Sequence, residues 1–292
     1  IRGCQTRGPG RLGRDRENRD DCMSIATLLG FLAGLGLFIG AIVTATDNYE
    51  SFLSGPSIVM VLGGTLSATF IGYQGRYVML ALRDIGFLFV KGKVDRKMLT
   101  LETGKIIRWG YLVKKQGLLA LEKEIKGAKK QDHFLNYGIE LVISGYSGDE
   151  VRAMLTAAST GAFQRAMVQA DILKNMAAAA PAFGMIGTLV GLIVMLQSLG
   201  SDPGGLGAGL AVAMLTTLYG VLLARLVFLP AASKVSQKEG ILRFRNFLVT
   251  EGFSMLADHK SPRYVQDKMN SYLDPSIHYT MDQKGGRRKK AA

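Results

Sequence analysis

The chain has 292 residues, a formal net charge of +13 and 48% hydrophobic residues. That length allows one or two domains, and the apolar residues are clustered into long runs rather than spread. The positive charge admits nucleic acid or an anionic membrane surface. Its basic residues do not alternate with aromatics, however, and four apolar runs of spanning length argue against nucleic acid. The 2 cysteines, Cys4 and Cys22, both lie at the N-terminus, so the remaining chain has no disulfide framework, which suits a body facing a reducing cytosol.

Residues 1–22 hold six arginines and no apolar periodicity, and read as a non-native or disordered prefix outside the fold. The first apolar run is Ile25 to Ala45, where Gly30 with Gly34 and Gly36 with Gly40 have the spacing that permits close helix approach. Pro56 to Tyr73 is a shorter second run containing Gly63 and Gly64. Residues 76–175 form a polar block of helical character. Its opening stretch, RYVMLALRDIGFLFVKG, is expected to continue the second run as an amphipathic helix. Further helices are expected around Met98 to Lys115 and Leu118 to Lys126. Ser147 and Glu150 have capping-box spacing and open a long helix running through Lys174 into the third apolar run.

The third and fourth runs, Met176 to Leu199 and Leu206 to Leu229, flank a short turn, Gly200 to Gly205. Each is about long enough to cross a hydrocarbon core of roughly 30 Å. Gly184, Gly187, Gly191 and Gly220 give this hairpin small faces for helix packing, expected to meet sister subunits. Another helical region, Ala231 to Ala257, follows Pro230, and the basic tail ending GGRRKKAA is expected to be disordered. Residues 76–175 contain 17 Lys and Arg and the region after Arg225 contains 12, whereas the loops 46–55 and 200–205 contain none. Charge asymmetry therefore predicts an all-α polytopic membrane protein with four spans. Both termini and the large loop are expected to face the cytoplasm.

Arg225 is the only charged residue in the four runs. A membrane machine driven by ions needs an intramembrane ionisable group, so either this chain conducts nothing or a partner supplies the titrating group. Thr188 and Thr217, with Thr216 beside it, lie at similar depth. Their hydroxyls either hydrogen-bond within and between helices or coordinate a partly dehydrated cation. Pro181 and Pro230, at the cytoplasmic ends of runs three and four, either start or stop helices or kink them. Lys114, Lys115, Glu122 and Glu124 form either a solvated face or a docking surface for a charged partner. No catalytic pair, metal cluster or phosphate loop is legible, so no enzyme and no cofactor is expected.

The runs PAFGMIGTLVGLIVML and AVAMLTTLYGVLLARLVFLPAASK, with KKQGLLALEKEI in the loop, resemble the MotA/PomA family of flagellar motor stator proteins. The resemblance extends from Met23 to about Ala257. It implies a ring of these subunits, a pentamer in the family, around a MotB/PomB-type single-span partner whose membrane Asp carries the ion. It also implies that the cytoplasmic loop meets the rotor protein FliG through Lys114 and Glu122, with Lys115 and Glu124 nearby, and that Pro181 and Pro230 take part in coupling motion. Thr188 stands where sodium-driven members carry Thr, so the transported ion is expected to be Na+, with H+ as the alternative. An ExbB/TolQ-like energiser and a non-conducting membrane scaffold are the rival readings. The first typically has three spans with its large domain between the first two, unlike the pattern here.

Overall fold

The structure, a computed structural model, describes residues 14–47, 52–86, 96–117, 121, 132–197, 203–275 and 278. Among these the regular elements are all helical. They are α1 (Arg14–Ala45), α2 (Gly55–Gly72), α3 (Gly75–Gly86), α4 (Arg96–Gln116) and α5 (His133–Ile143). Then come α6 (Gly148–Gln197), α7 (Pro203–Leu222), a π-helical turn (Leu223–Phe228), α8 (Leu229–Ala257) and α9 (Pro262–Ser271). Three helical stretches are long and apolar enough to cross a membrane, α2, α6 and the stretch from Leu206 to Ala257, and the apolar part of α1, Leu29–Ala45, is shorter. This is a multi-pass membrane architecture.

The chain divides into two compact units. One holds residues up to Lys91 together with Met167–Ser236; the other holds Gly92–Ala166 and the chain from Gln237 onward. The first is built around the apolar helices. Its buried cluster joins Val61, Ala81, Ile172, Leu173, Met176, Ala180, Ala224 and Phe228. α3 therefore belongs with the apolar helices and not with the polar block. It also does not continue α2: Tyr73 is extended (φ −135°, ψ 154°) and ends that helix just after Gly72. α2 opens with Ser54 accepting from the Ser57 backbone N–H and with Pro56 in the first turn, where its missing N–H leaves no helix bond unmade.

The second unit has a core of Ile106, Ile107, Leu135, Ile139, Leu155, Leu248, Phe253 and Leu256, with Trp109 stacked on Phe253 at 5.9 Å between centroids. α4 ends on Gly117, whose φ of 78° suits the residue beyond a helix. α6 starts as the Ser147–Glu150 spacing predicts. Glu150 accepts from the Ser147 backbone N–H (2.9 Å) and hydroxyl (2.8 Å), while Ser147 Oγ accepts from the Glu150 N–H (3.4 Å). Both donations to Glu150 favour its charged form and hold its carboxyl below the usual glutamate value. The Gly148 N–H, another unpaired donor of that first turn, goes to Asp258 at 2.9 Å.

The helices differ from the sequence reading at further places. α1 begins at Arg14, inside the stretch set aside as a prefix; no Gly or Pro interrupts residues 14–29, so nothing local stops the helix there. α5 was not anticipated. Asp132 caps it by accepting from the Phe134 N–H, but Gly138 in its middle reads locally as a breaker. Nor do Pro181 and Pro230 mark helix ends: the first lies inside α6 and the second inside α8, directly after the π turn. The helix expected over 118–126 lies outside the described residues apart from Leu121, as does the basic tail.

Candidate functional site in the apolar hairpin

α6 and α7 approach so closely that side chains are excluded along one line. A Cβ on Gly191 would stand 2.7 Å from the Ala213 nitrogen and from the Gly209 carbonyl oxygen. One on Gly184 would stand 2.9 Å from the Thr216 carbonyl oxygen, and one on Gly187 would lie 2.5 Å from Thr216 Cβ. Towards the start of the apolar run of α6, Gly220 admits Ala180 and Pro181, with a Cβ there 2.6 Å from the Ala180 oxygen. The glycines expected to face sister subunits are thus used within the chain, pairing the two helices of its own hairpin. The spacing of small residues says that something approaches; it does not say what. In α1, by contrast, Gly30, Gly36 and Gly40 have nothing within 4 Å, and Gly34 meets only Leu226 at 3.4 Å.

This register sorts the threonines. Thr216 is 0% exposed, sealed against Gly187, and its hydroxyl donates to the Ala213 carbonyl at 2.9 Å. It therefore packs the hairpin and has no open face for an ion, contrary to its inclusion in the pathway. Thr217 and Thr188 each follow an inward residue, about 100° further round the helix, and both are half-buried. Thr188 donates its hydroxyl hydrogen to the Met185 carbonyl at 2.6 Å. Back-bonding of this kind is the structural role foreseen for it. It also leaves the oxygen lone pairs turned away from the helix backbone, available to a cation or a donor.

Pro230 is accommodated by widening the helix. Its ring would clash with the carbonyl of Leu226 in a regular α-turn, and it has no N–H to give. The preceding turn is π-helical, and Leu229 N–H donates to the Ala224 carbonyl, five residues back. Pro181 leaves the Ala177 carbonyl without its normal donor, at the level where α7 presents Gly220.

Some contacting residues were missed from sequence. Tyr219 donates its hydroxyl to the Phe52 carbonyl and accepts from the Ser54 N–H at 3.2 Å, tying the α1–α2 connection to α7. A lone phenol within an apolar run was the available signal, since a buried hydroxyl needs partners. Gly64 receives the ring of Phe183, so a Cβ there would lie 2.2 Å from Cδ1. Thr65 and Thr69, buried in α2, donate to carbonyls one turn back.

Lys114 and Lys115 are exposed in the last turn of α4, where cations complement the helix dipole, so their position has a structural reason of its own. Glu122 and Glu124 lie outside the described residues.

The chain, with its membrane hairpin joined along a line of glycines, matches the model described as the MotA/TolQ/ExbB proton channel family over residues 126–243. The chemotaxis protein PomA of Vibrio alginolyticus is 32% identical over 260 residues, covering 86% of this chain and 96% of that protein. Motility protein A of Borreliella burgdorferi is 29% identical over 256 residues, covering 87% and 95%. This chain belongs to the MotA/PomA family. The fold is shared with the C. jejuni MotAB structure, at a TM-score of 0.76 and 21% identity over 88% of this chain and 99% of that one. It is shared likewise with the flagellar MotAB stator complex of Bacillus subtilis, at 0.74 and 22% over 86% and 96%.

Proposed function

We propose that this chain is the A subunit of a flagellar stator, four-spanning in the inner membrane with its polar block in the cytoplasm. It forms a ring, a pentamer by family analogy, around a MotB/PomB-type partner and converts ion flow into torque on FliG. The single observation that carries the reading is the PomA likeness running over 96% of that relative. The empty ledger of acidic residues in the apolar runs agrees with it, since the ion-binding carboxylate then comes from the partner.

In this reading Thr188 and Thr217 complete the partner's carboxylate site. A hydroxyl that donates to its own helix keeps two lone pairs, suited to a hard cation that prefers oxygen ligands, and the coupling ion is Na+. Pro181 and Pro230 let the cytoplasmic ends of the hairpin flex, and Lys114 with Glu122 meets the rotor. The test is swimming speed in a strain lacking its own A subunit, complemented with this chain and its cognate partner, across sodium concentrations at fixed proton gradient. Sodium dependence is expected. Thr188→Ala should weaken that dependence while the complex still co-purifies. Full rotation without sodium refutes the choice of ion, and loss of co-purification makes Thr188 a packing residue.

A further inference from the structure

The second unit carries an open cleft of about 580 Å³ that neither the hairpin nor the charged end of α4 uses. Its walls come from the start of α5, from residues 157–165 of α6 and from residues 239–246 of α8. Arg165, Arg243 and Arg245 line it, beside the half-buried rings of Phe134, Tyr137 and Phe163.

The acidic groups in these walls are already engaged. Asp132 accepts from the Phe134 N–H at 3.4 Å and from Arg245, which is itself only 2% exposed. Glu239 pairs with Lys238 at 3.5 Å. Arg245 is neutralised further by Glu102 at 3.7 Å. Arg165 and Arg243 are exposed and have no carboxylate partner among the described residues. Arg243 instead lies 4.7 Å over the Phe163 ring. Stacking of this kind fixes the plane of the guanidinium and leaves its edge donors free.

Two guanidiniums without a counter-ion among the described residues, on the wall of one cleft, make a recognition site for an oxyanion, because the planar fork matches two oxygens of a phosphate. The cavity is too large for phosphate alone and falls within the roughly 300–1,000 Å³ of small-molecule sites. The aromatic faces of Phe134 and Tyr137 offer the remaining volume to a planar ring. We propose that this cleft binds a small phosphorylated molecule of the nucleoside-phosphate class, with its phosphate on Arg165 and Arg243.

The test is equilibrium dialysis of the detergent-solubilised full chain against labelled ATP, GTP and inorganic phosphate, without magnesium and at near-physiological salt. Saturable binding of at least one nucleotide is expected, with a Kd on the order of 10 µM to 1 mM, and inorganic phosphate should bind about tenfold more weakly or worse, since it forgoes the ring contacts. Arg165→Ala and Arg243→Ala should each weaken the nucleotide by about tenfold, the worth of a charge-assisted hydrogen bond. Arg243→Lys should fall between, keeping charge and losing the fork. Lys268→Ala, outside the cleft, should bind like the parent. Both arginines are exposed, so unchanged thermal unfolding of the alanine variants is expected and ties any loss to the cleft. Absence of saturable nucleotide binding overturns the proposal, as does undiminished binding by the double alanine variant. Phosphate bound as tightly as nucleotide overturns the assignment of the ring.

Discussion

Gly191→Ala isolates what holds the hairpin together. The added methyl would stand 2.7 Å from the Ala213 nitrogen and the Gly209 oxygen and 2.9 Å from Ala213 Cα. All three are backbone atoms, so no rotamer change relieves the contact. Carbon packs best at about 3.5 Å or more, so α6 and α7 must separate locally by about 0.8 Å. Overpacking of this kind destabilises by roughly 1–3 kcal/mol. Gly36→Ala in α1 is the matched control: its methyl meets nothing within 4 Å, and replacing a helical glycine there should stabilise by up to about 1 kcal/mol. Thermal unfolding of the two purified variants in one detergent, followed by loss of the monodisperse peak in size exclusion, compares them directly. Gly191→Ala should melt below the parent and Gly36→Ala at or above it. If Gly191→Ala is as stable as the parent, Gly191 does not face Gly209 and Ala213 in the hairpin.

The remaining predictions concern charge, caps and the π turn. Arg245→Ala leaves Asp132 without its cation and the largely buried Glu102 with Lys105 alone, at 3.1 Å, and should destabilise the second unit by about 1–3 kcal/mol, read as faster limited proteolysis; adding Glu102→Met should recover part of the loss. Glu150 has a carboxyl lowered by its bonds from Ser147, so its contribution is present above the ordinary carboxylate range and is lost as pH falls through its folded value. Glu150→Gln should therefore speed amide exchange in the first turn of α6 at neutral pH, with the difference from the parent vanishing in acid. Pro230→Ala restores an N–H that can donate to Leu226, removing the reason for the π turn. It should raise thermal stability and lower motility, and a variant that swims normally would deprive the π turn of any part in coupling.

Features with purely local causes were legible in the sequence. The start of α6 follows from Ser147 and Glu150, because a cap is written within four residues, and the second run was placed from Pro56, one residue inside α2. Features set by tertiary contact were not. Gly138 reads as a helix breaker, yet a Cβ there would lie 2.4 Å from Phe253 Cδ2; the residue is glycine because the core ring needs the space, and the helix tolerates it. Pro230 reads as a helix end or a kink because sequence rules presume an α-turn, whereas a π turn removes the clash. The glycine stripes had the right spacing for close packing but carried no record of the neighbour.

The two adjacent threonines show what that missing neighbour decides. By composition and depth Thr216 and Thr217 are interchangeable, and periodicity cannot choose between them. Once Gly187 takes Thr216 into the hairpin, the next residue must turn about 100° out of it, and Thr217 becomes the half-buried one. The same step takes Thr188 out beside Gly187. Both threonines then have exposed apolar neighbours one turn away on their own helices, Met185 and Leu192 beside Thr188 and Met214 and Val221 beside Thr217, which are 59%, 38%, 66% and 44% exposed. The glycine line is fully occupied within the chain, so a carboxylate that reaches Thr188 has to approach across these neighbours. In the stator reading, the partner's span is the element that brings it there. Leu192→Trp, one turn from Thr188 on the same side of α6, should then weaken co-purification with the partner while the hairpin itself stays as stable as the parent's.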